Sequence, residues 1–205
     1  MVNVKGWLVW VCLCVSASMA VDASAFGLGG YLMVGGGTGE VTNETWGGDV
    51  DDDIDAGLVG FGFVMDTSPK DQSFFNYRLN VGWEFVTTEE DDSGNETDLA
   101  GITVANDFGF AIVRNERFRL WAGPELRLGF YAGENDWDDD VYIFAYGLGP
   151  VIGANFGVGQ KAVLSVTLGG IYSGFAGEVD DGTDTWDTEG ELFTYMLNAS
   201  FLFDL

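Results

Sequence analysis

Residues 75–85 read Phe-Asn-Tyr-Arg-Leu-Asn-Val-Gly-Trp-Glu-Phe, and this alternating stretch decides the fold. Its odd-numbered positions are all large and apolar, whereas its even-numbered positions are Asn76, Arg78, Asn80, Gly82 and Glu84. Alternation with a period of two is the pattern of a β-strand whose two faces meet different surroundings. Residues 193–205 repeat the pattern, with an apolar side chain at every odd-numbered position.

Similar segments recur along the chain from residue 26 onward, each followed by a connection rich in polar residues or glycine. We predict eight strands, at 26–39, 55–66, 74–88, 98–113, 118–133, 142–157, 162–177 and 191–205. Most exceed the usual length of globular strands, and a tilted strand of ~9–11 residues already crosses a bilayer. No run of ~18 apolar residues occurs, so the sequence contains no pattern of a transmembrane helix.

The predicted connections alternate between short and long. Three are short, at 67–73, 114–117 and 157–161, and four are long, at 40–54, 89–97, 134–141 and 178–190. An up-and-down meander places alternate connections at opposite ends, so we expect all the long ones at one rim. Short turns on one side and longer loops on the other are typical of transmembrane β-barrels.

Charge follows the same division. The chain has 33 acidic and 8 basic residues, for a net charge of −25, and about 25 of the acids lie in or beside the four long connections. Those connections contain no Lys or Arg, whereas five basic residues lie near the short turns: Lys70, Arg114, Arg117, Arg119 and Lys161. Nucleic-acid binding is excluded, because neutralising phosphates requires clustered Lys and Arg.

The N-terminus reads as a secretory signal peptide. Lys5 precedes the short apolar run Trp7–Val15, and small residues follow it. We expect cleavage after Ala20, giving a signal of 1–20, with Ala25 as the latest alternative. Both cysteines lie in the apolar run. The mature barrel domain, 26–205, therefore has none, which excludes disulfides.

The segment 195–205, Tyr-Met-Leu-Asn-Ala-Ser-Phe-Leu-Phe-Asp-Leu, completes the pattern. With it, the chain resembles the small eight-stranded outer-membrane barrels of the OmpX, OmpW and Opa type. The resemblance implies an all-β, eight-stranded antiparallel up-and-down transmembrane β-barrel with short periplasmic turns and long acidic extracellular loops. It also implies a monomer in the outer membrane of a Gram-negative bacterium, in contact with outer-membrane lipid and lipopolysaccharide. The barrel-assembly machinery would read a terminal signal at Tyr195, Phe201, Phe203 and Leu205, although the family usually ends in Phe.

A soluble, lipocalin-like barrel with its large apolar side chains turned inward is the alternative. The small or polar face of the strands argues against it, because Gly, Ala, Ser, Thr and Asn replace the interspersed Lys and Glu of a soluble surface. Aromatic residues near the strand ends would form membrane-interface girdles. They are Phe74, Phe75, Phe85, Phe118, Tyr142, Phe156, Tyr172 and Phe203.

Five charged residues fall on the inward face of neighbouring strands: Arg78, Glu84, Asp107, Glu125 and Arg127. Charges inside a barrel must pair or meet water. One interpretation is a salt-bridge network that locks the lumen, and the other is a gated polar path for a small solute. Bulky inward residues such as Tyr31, Met33, Trp121 and Tyr131 favour the first, because an eight-stranded barrel is only wide enough for side chains to fill.

The long connections contain closely spaced carboxylates, the ligand type that Ca²⁺ prefers. The residues that would bind cations are Asp49, Asp51, Asp53, Asp55, Asp136, Asp138 and Asp140. Neither run has the glycine and glutamate of an EF-hand loop, and counter-ion screening of a solvated surface explains the acids equally well. We expect no cofactor and assign no metal site.

Pro124 and Pro150 fall inside strands five and six, where proline is rare because it cannot donate to the ladder. A hairpin centred on Trp137 places them opposite each other, and we predict one shared bulge or ladder break there. The chain has no histidine, so catalysis by an imidazole base is excluded and we expect no enzyme. The expected role is structural or surface interaction with an acidic rim. The alternative is a narrow passive channel for small cationic or hydrophobic solutes.

Overall fold

The computed structural model describes residues 26–45, 48–70, 73–91, 94–115 and 117–205. Its eight strands are β1 (Gly27–Thr45), β2 (Gly48–Asp66), β3 (Phe75–Glu90), β4 (Glu96–Arg114), β5 (Phe118–Asn135), β6 (Asp140–Val158), β7 (Ala162–Asp180) and β8 (Thr185–Asp204). The predicted number and order of strands are confirmed. The predicted signal peptide lies outside the described residues.

The strands form one closed ring, in which each pairs antiparallel with the next and β8 pairs with β1. Following paired residues once around the barrel from Thr42 leads back to β1 at Leu32, ten residues away. Eight strands with such a stagger tilt by roughly 35–45° from the barrel axis. Closure leaves no unpaired edge, which a bilayer would not tolerate.

The strands are longer than predicted, because the acidic segments continue the ladder instead of forming loops. The connections at the acidic end shrink to 46–47, 91–95, 136–139 and 181–184. The expectation of long loops at this end is therefore wrong. Alternation explains the extension: in 49–55 the aspartates at 51, 53 and 55 face outward, whereas Ile54 is buried inside.

The acidic end is called the outer rim below, and the opposite end, where Phe26 and Leu205 meet, the inner end. The inner end carries the connections 67–74, 115–117 and 159–161. Strands of 19 residues, such as β1, rise about 45 Å along the axis at ~3.3 Å per residue and this tilt. An apolar band of ~25 Å accounts for little more than half of that height, so the outer rim projects well into water.

The two faces of the sheet are as predicted. Large apolar side chains cover the outside, including Leu32, Phe61, Phe63, Leu148 and Leu168, while buried polar and small residues fill the inside. Six of the eight predicted girdle residues are exposed on the outer surface, and Phe75 and Phe118 are half-buried. The exposed ones are Phe74, Phe85, Tyr142, Phe156, Tyr172 and Phe203. This excludes the soluble alternative, because a water-facing wall of this composition would aggregate.

Among the described residues, no helix is long and apolar enough to span a membrane.

Pro124 and Pro150 are direct partners, as predicted, but the shared break within their hairpin is wrong. The β5–β6 ladder keeps one register from Phe118↔Phe156 to Glu134↔Asp140. The interruptions lie in the ladders on either side instead. The β4–β5 pairing stops between Asp107 and Phe110, and the β6–β7 pairing stops between Leu148 and Val151.

Candidate functional site in the barrel lumen

The outer half of the lumen contains a cavity of ≈ 400 Å³ that opens at the outer rim. Apolar side chains form most of its wall, and five of them, Leu58, Val86, Leu99, Val141 and Val179, make one buried cluster with Ala56. Tyr131, Ile143, Trp186 and Leu192 pack against this cluster. The sequence folds this way because the acidic segments keep an apolar residue at every second position, so that their inward face stays apolar.

The floor of this outer cavity is a polar cluster centred on Arg127. Its guanidinium pairs with the fully buried carboxylate of Glu84, and it lies 3.3 Å from a carboxylate oxygen of Glu125. The Tyr131 hydroxyl donates a 2.5 Å hydrogen bond to Glu84, and the Met33 sulfur lies 3.5 Å from Arg127. Shared donors of this kind hold buried carboxylates in place.

A second polar cluster closes the inner end. Arg78 donates to Asp66 from Nη2 at 2.9 Å and from Nε at 3.2 Å, and both side chains are almost completely buried. The same Nη2 donates to Ser165 at 2.8 Å and to Asn155 at 3.3 Å. The Arg78 guanidinium also lies 5.3 Å from the Trp121 ring centre, a cation–π distance.

The turn between β2 and β3 folds into this end of the barrel and is fastened there by side chains. Arg119 donates to the carbonyl oxygen of Ser68 at 3.0 Å, and Asn155 donates to that of Pro69 at 3.1 Å. Lys70 donates to the carbonyl oxygen of Gln160 at 2.7 Å. Because Ser68 and Pro69 are buried, this turn plugs the inner mouth of the lumen.

The structure thus places all five predicted lumen residues inside, but in separate groups. Arg78 belongs to the inner cluster, whereas Glu84, Glu125 and Arg127 form the floor of the outer cavity, and Asp107 lies between them. Sequence reasoning missed Asp66 and Arg119. Both continue the inward-facing parity of their strands, which is the signal that would have found them.

The acidic residues proposed to bind cations are not brought together. Asp51, Asp53 and Asp55 point outward at every second position of β2, about 6.6 Å apart along the strand, too far to share one ion. Asp136 and Asp138 lie in the β5–β6 turn and Asp140 starts β6, while the side chain of Asp49 lies outside the described residues. Within the described ranges, no three His, Cys, Asp or Glu side chains are grouped to hold a metal ion. Cation binding stays a prediction.

The predicted signal residues of the C-terminal strand lie on the outer, membrane-facing surface of the barrel. Tyr195, Phe201, Phe203 and Leu205 all point outward and are exposed. Leu205 donates its backbone amide to Phe26, at the seam where the ring closes. Their role as an assembly signal stays a prediction.

The comparisons with known proteins agree with this architecture. No protein-family model and no curated protein matches the chain. Among solved structures, the chain is similar to the outer membrane protein OprG from Pseudomonas aeruginosa, with 9% identity over 90% of this chain and 97% of that one, at a TM-score of 0.65. The outer membrane protein AlkL, solved in lipid bilayers, matches at 15% identity over 86% and 91% of the two chains, with a TM-score of 0.45.

A third match is the outer membrane protease OmpT from Escherichia coli, with 8% identity over 92% and 99% of the chains and a TM-score of 0.41. Identities this low establish a likeness of fold, and OprG, with a TM-score above one half, carries it. A closed eight-stranded ring with an apolar outer band and a polar lumen defines the class. The chain has the fold of the small transmembrane β-barrels of the outer membrane, the class to which OprG belongs.

Proposed function

We propose that this barrel captures small, largely apolar molecules from the medium in the outer half of its lumen. The observation that carries the proposal is the apolar-walled cavity of ≈ 400 Å³ open at the outer rim. This volume falls within the ~300–1,000 Å³ of typical small-molecule sites, and an apolar wall with few polar groups is their usual lining. The inner half of the lumen is filled by side chains. The apolar cavity in the outer half is therefore not needed to close the barrel, and we assign it to ligand binding.

The charges at the mouth narrow the class of ligand. Asp52 and Glu90 line the upper cavity, and the outward acids of the rim surround them. A negative entrance repels anions, so neutral or positively charged apolar molecules are favoured. Arg127 at the floor is already held by Glu84 and Glu125, which leaves the apolar wall as the main source of binding energy.

The same geometry argues for capture rather than free conduction. The Arg127 cluster closes the lumen below the outer cavity, and the buried β2–β3 turn closes it again at the inner end. The chain also contains no histidine, and nothing in the described lumen pairs a nucleophile with a base. We therefore propose a non-enzymatic role at the cell surface.

Equilibrium dialysis of tritiated indole against the protein in lipid nanodiscs tests the proposal. We expect saturable binding that empty nanodiscs lack, and loss of that binding in L99W, because Leu99 is buried in the cavity wall. I102W is the matched control, since Ile102 lies on the same strand but faces lipid. Equal binding by L99W and I102W would refute the lumen as the site.

Planar-bilayer recording separates capture from the channel alternative. Capture predicts no steady single-channel current in the wild-type protein. Steady currents that change in Arg127→Met would show that the floor opens, and would favour the narrow passive channel instead.

For the outer rim we propose a diffuse role in concentrating cations, with no fixed site. Its outward carboxylates have no Lys or Arg among them and face water above the apolar band. Such a crown attracts divalent ions and loses that effect as the Debye length falls to ~8–10 Å at 0.1–0.15 M salt. Contact with lipopolysaccharide phosphates would then pass through divalent cations, which vesicle binding with and without Mg²⁺ tests.

A further inference from the structure

Between the floor of the outer cavity and the inner plug, the lumen contains a second, much smaller cavity of ≈ 20 Å³. A volume of ~10–15 Å³ is enough for one water-sized occupant, so this cavity holds one small particle. Oxygen-bearing side chains from five strands line it, Asn80, Asp107, Glu125, Thr167 and Asn198, and the Arg127 side chain also reaches its wall. Asp107 and Glu125 are direct partners across β4 and β5, and their carboxyl groups lie within hydrogen-bond reach of each other.

Three oxygens at this cavity are buried without a donor. Within the described chain, no hydrogen bond reaches Oδ1 of Asn80, Oδ1 of Asp107 or Oδ1 of Asn198. Asn80 is 7% exposed and Asp107 is 1% exposed, so bulk water does not satisfy them. Exchanging the amide atoms of Asn80 does not help, because its nitrogen already donates to Asp107 Oδ2 at 3.3 Å. Buried acceptors left this way are costly.

The charges in the lumen do not balance. Four acids are buried there, Asp66, Glu84, Asp107 and Glu125, against the three arginines Arg78, Arg119 and Arg127. With all seven groups ionised, one negative charge is in excess among these buried side chains of the described lumen.

The excess falls at the small cavity. Arg78 forms its ion pair with Asp66 rather than with its other cross-strand partner Asp107, and Arg127 pairs with Glu84 and Glu125. Asp107 forms no ion pair within the described part of the chain. The unpartnered oxygens and the excess negative charge favour a positive occupant, which competes for that charge with a proton shared by the Asp107 and Glu125 carboxyl groups.

We propose that this cavity binds a single sodium-like monovalent cation, held by oxygens of Asp107, Glu125, Asn80, Asn198 and Thr167. Carboxylate, amide and hydroxyl oxygens are hard ligands that suit hard cations, and one positive charge neutralises the lumen. The ion joins strands on opposite sides of the barrel and seals the lumen at mid-height. This inference does not depend on capture of apolar molecules in the outer cavity.

Urea unfolding of the protein in zwitterionic detergent micelles tests the proposal at constant ionic strength, with sodium chloride replaced stepwise by choline chloride. Binding to the folded state alone raises the folding equilibrium constant in proportion to 1 + [Na⁺]/Kd, so we expect about a tenfold rise per tenfold sodium once the site is saturated. Choline is too large for the cavity and gives no rise. D107N removes the excess charge and should abolish the sodium dependence.

D55N is the matched control, because Asp55 is an exposed rim carboxylate and the same charge is removed. It should keep the full sodium dependence. Crystals containing thallium(I), a monovalent ion with strong anomalous scattering, give a second readout that does not require D107N to fold. A peak among the five oxygens is expected.

Equal unfolding midpoints in sodium and choline, or thallium crystals without a peak in the cavity, would overturn the proposal. The occupant would then be a water molecule or a proton shared by Asp107 and Glu125. A sodium dependence that D107N and D55N both retain would also overturn it, because the ion would then bind elsewhere.

Discussion

Pro124 and Pro150 face each other across the β5–β6 pair, and each is the point where the ladder on its other side is interrupted. In an antiparallel ladder, residues directly opposite alternate between exchanging hydrogen bonds and directing them at the outer neighbours. A proline pair at the second kind of position costs the β5–β6 ladder no hydrogen bond. The missing amide hydrogens then fall on the β4 and β7 sides, opposite Phe108 and Gly170, where pairing stops.

Pro124→Ala supplies the missing donor and should complete the β4–β5 ladder. We expect the new amide at position 124 to be protected from hydrogen exchange and stability to rise by about 0.5–1.5 kcal/mol, the net value of one hydrogen bond. Exchange monitored by NMR in micelles, together with urea unfolding, measures both. P150A should behave in the same way toward β7.

The control for this prediction is Pro69→Ala, since Pro69 lies in the inner turn and outside any ladder. Its new amide has no strand to bond. If the amide at position 124 of P124A exchanges as fast as that at position 69 of P69A, the assignment of the missing donor to the β4 side is wrong.

The buried Arg78–Asp66 pair should dominate the stability of the inner end. Arg78→Met leaves the Asp66 carboxylate buried without its partner, which costs about 3–5 kcal/mol for buried pairs. Asp204→Asn is the matched control, because it removes the charge of the 3.8 Å Lys70–Asp204 pair, which is partly exposed, and keeps the hydrogen bond of Lys70 to Gln160. Surface pairs of this kind are worth about 0–1 kcal/mol. Urea unfolding followed by tryptophan fluorescence compares the two. Similar losses in both variants would contradict a special role for the buried pair.

Alternation was sufficient to predict the strand count, the outward face and the pairing of Pro124 with Pro150. It failed at the outer rim, because clustered acids suggest a solvated loop even where Val50, Ile54 and Val179 keep the strand pattern between them. Acidic residues are disfavoured on a strand only where the face that carries them is buried. At the outer rim the outward face of the strands lies in water beyond the membrane. The period of the apolar residues was therefore a better guide to strand ends than the local charge.

The lumen was only partly predictable. Parity identifies Arg78 and Arg127 as inward, but it does not say which carboxylate each arginine binds. Arg78 is the cross-strand partner of both Asp66 on β2 and Asp107 on β4, and only the structure shows that its guanidinium donates to Asp66. The apolar outer cavity also depends on the strand extensions, because its wall is built from residues of the acidic segments such as Ile54 and Val179.

The turn between β7 and β8 should open in acid. The backbone amides of Asp184 and Thr183 each donate to Asp181 Oδ1 at 2.7 Å, and they hold the pKa of Asp181 below its ordinary value of ~3.9. A depressed folded-state pKa means that the turn gains stability above the ordinary pKa and loses it as the pH falls through the folded pKa. Carbon-detected NMR titration of the Asp181 carboxyl measures the shift directly.

D181N is the control for the turn, because its side-chain oxygen still accepts both amides but does not titrate. The Thr183 amide shift, which belongs to a residue with no titrating side chain, should therefore move with pH in the wild type and much less in D181N. Amide shifts that move equally in both proteins would assign the effect to another group.

A charge placed at mid-height on the outside should be far more harmful than the same charge at the outer rim. Leu168 and Val50 are 54% and 53% exposed, so a water-soluble protein would accept arginine equally well at either position. In a bilayer, Leu168→Arg puts the guanidinium against lipid near the middle of the apolar band, which costs about 2–4 kcal/mol of folding free energy. The arginine of Val50→Arg stays in water among carboxylates, and the cost there is about 0–1 kcal/mol. The two variants are compared by their folding into vesicles, which the heat-dependent shift in gel mobility reports. The same pair folded in a short-chain detergent controls for effects unrelated to the bilayer. If L168R folds into vesicles as well as V50R, the outward apolar band is not the membrane surface.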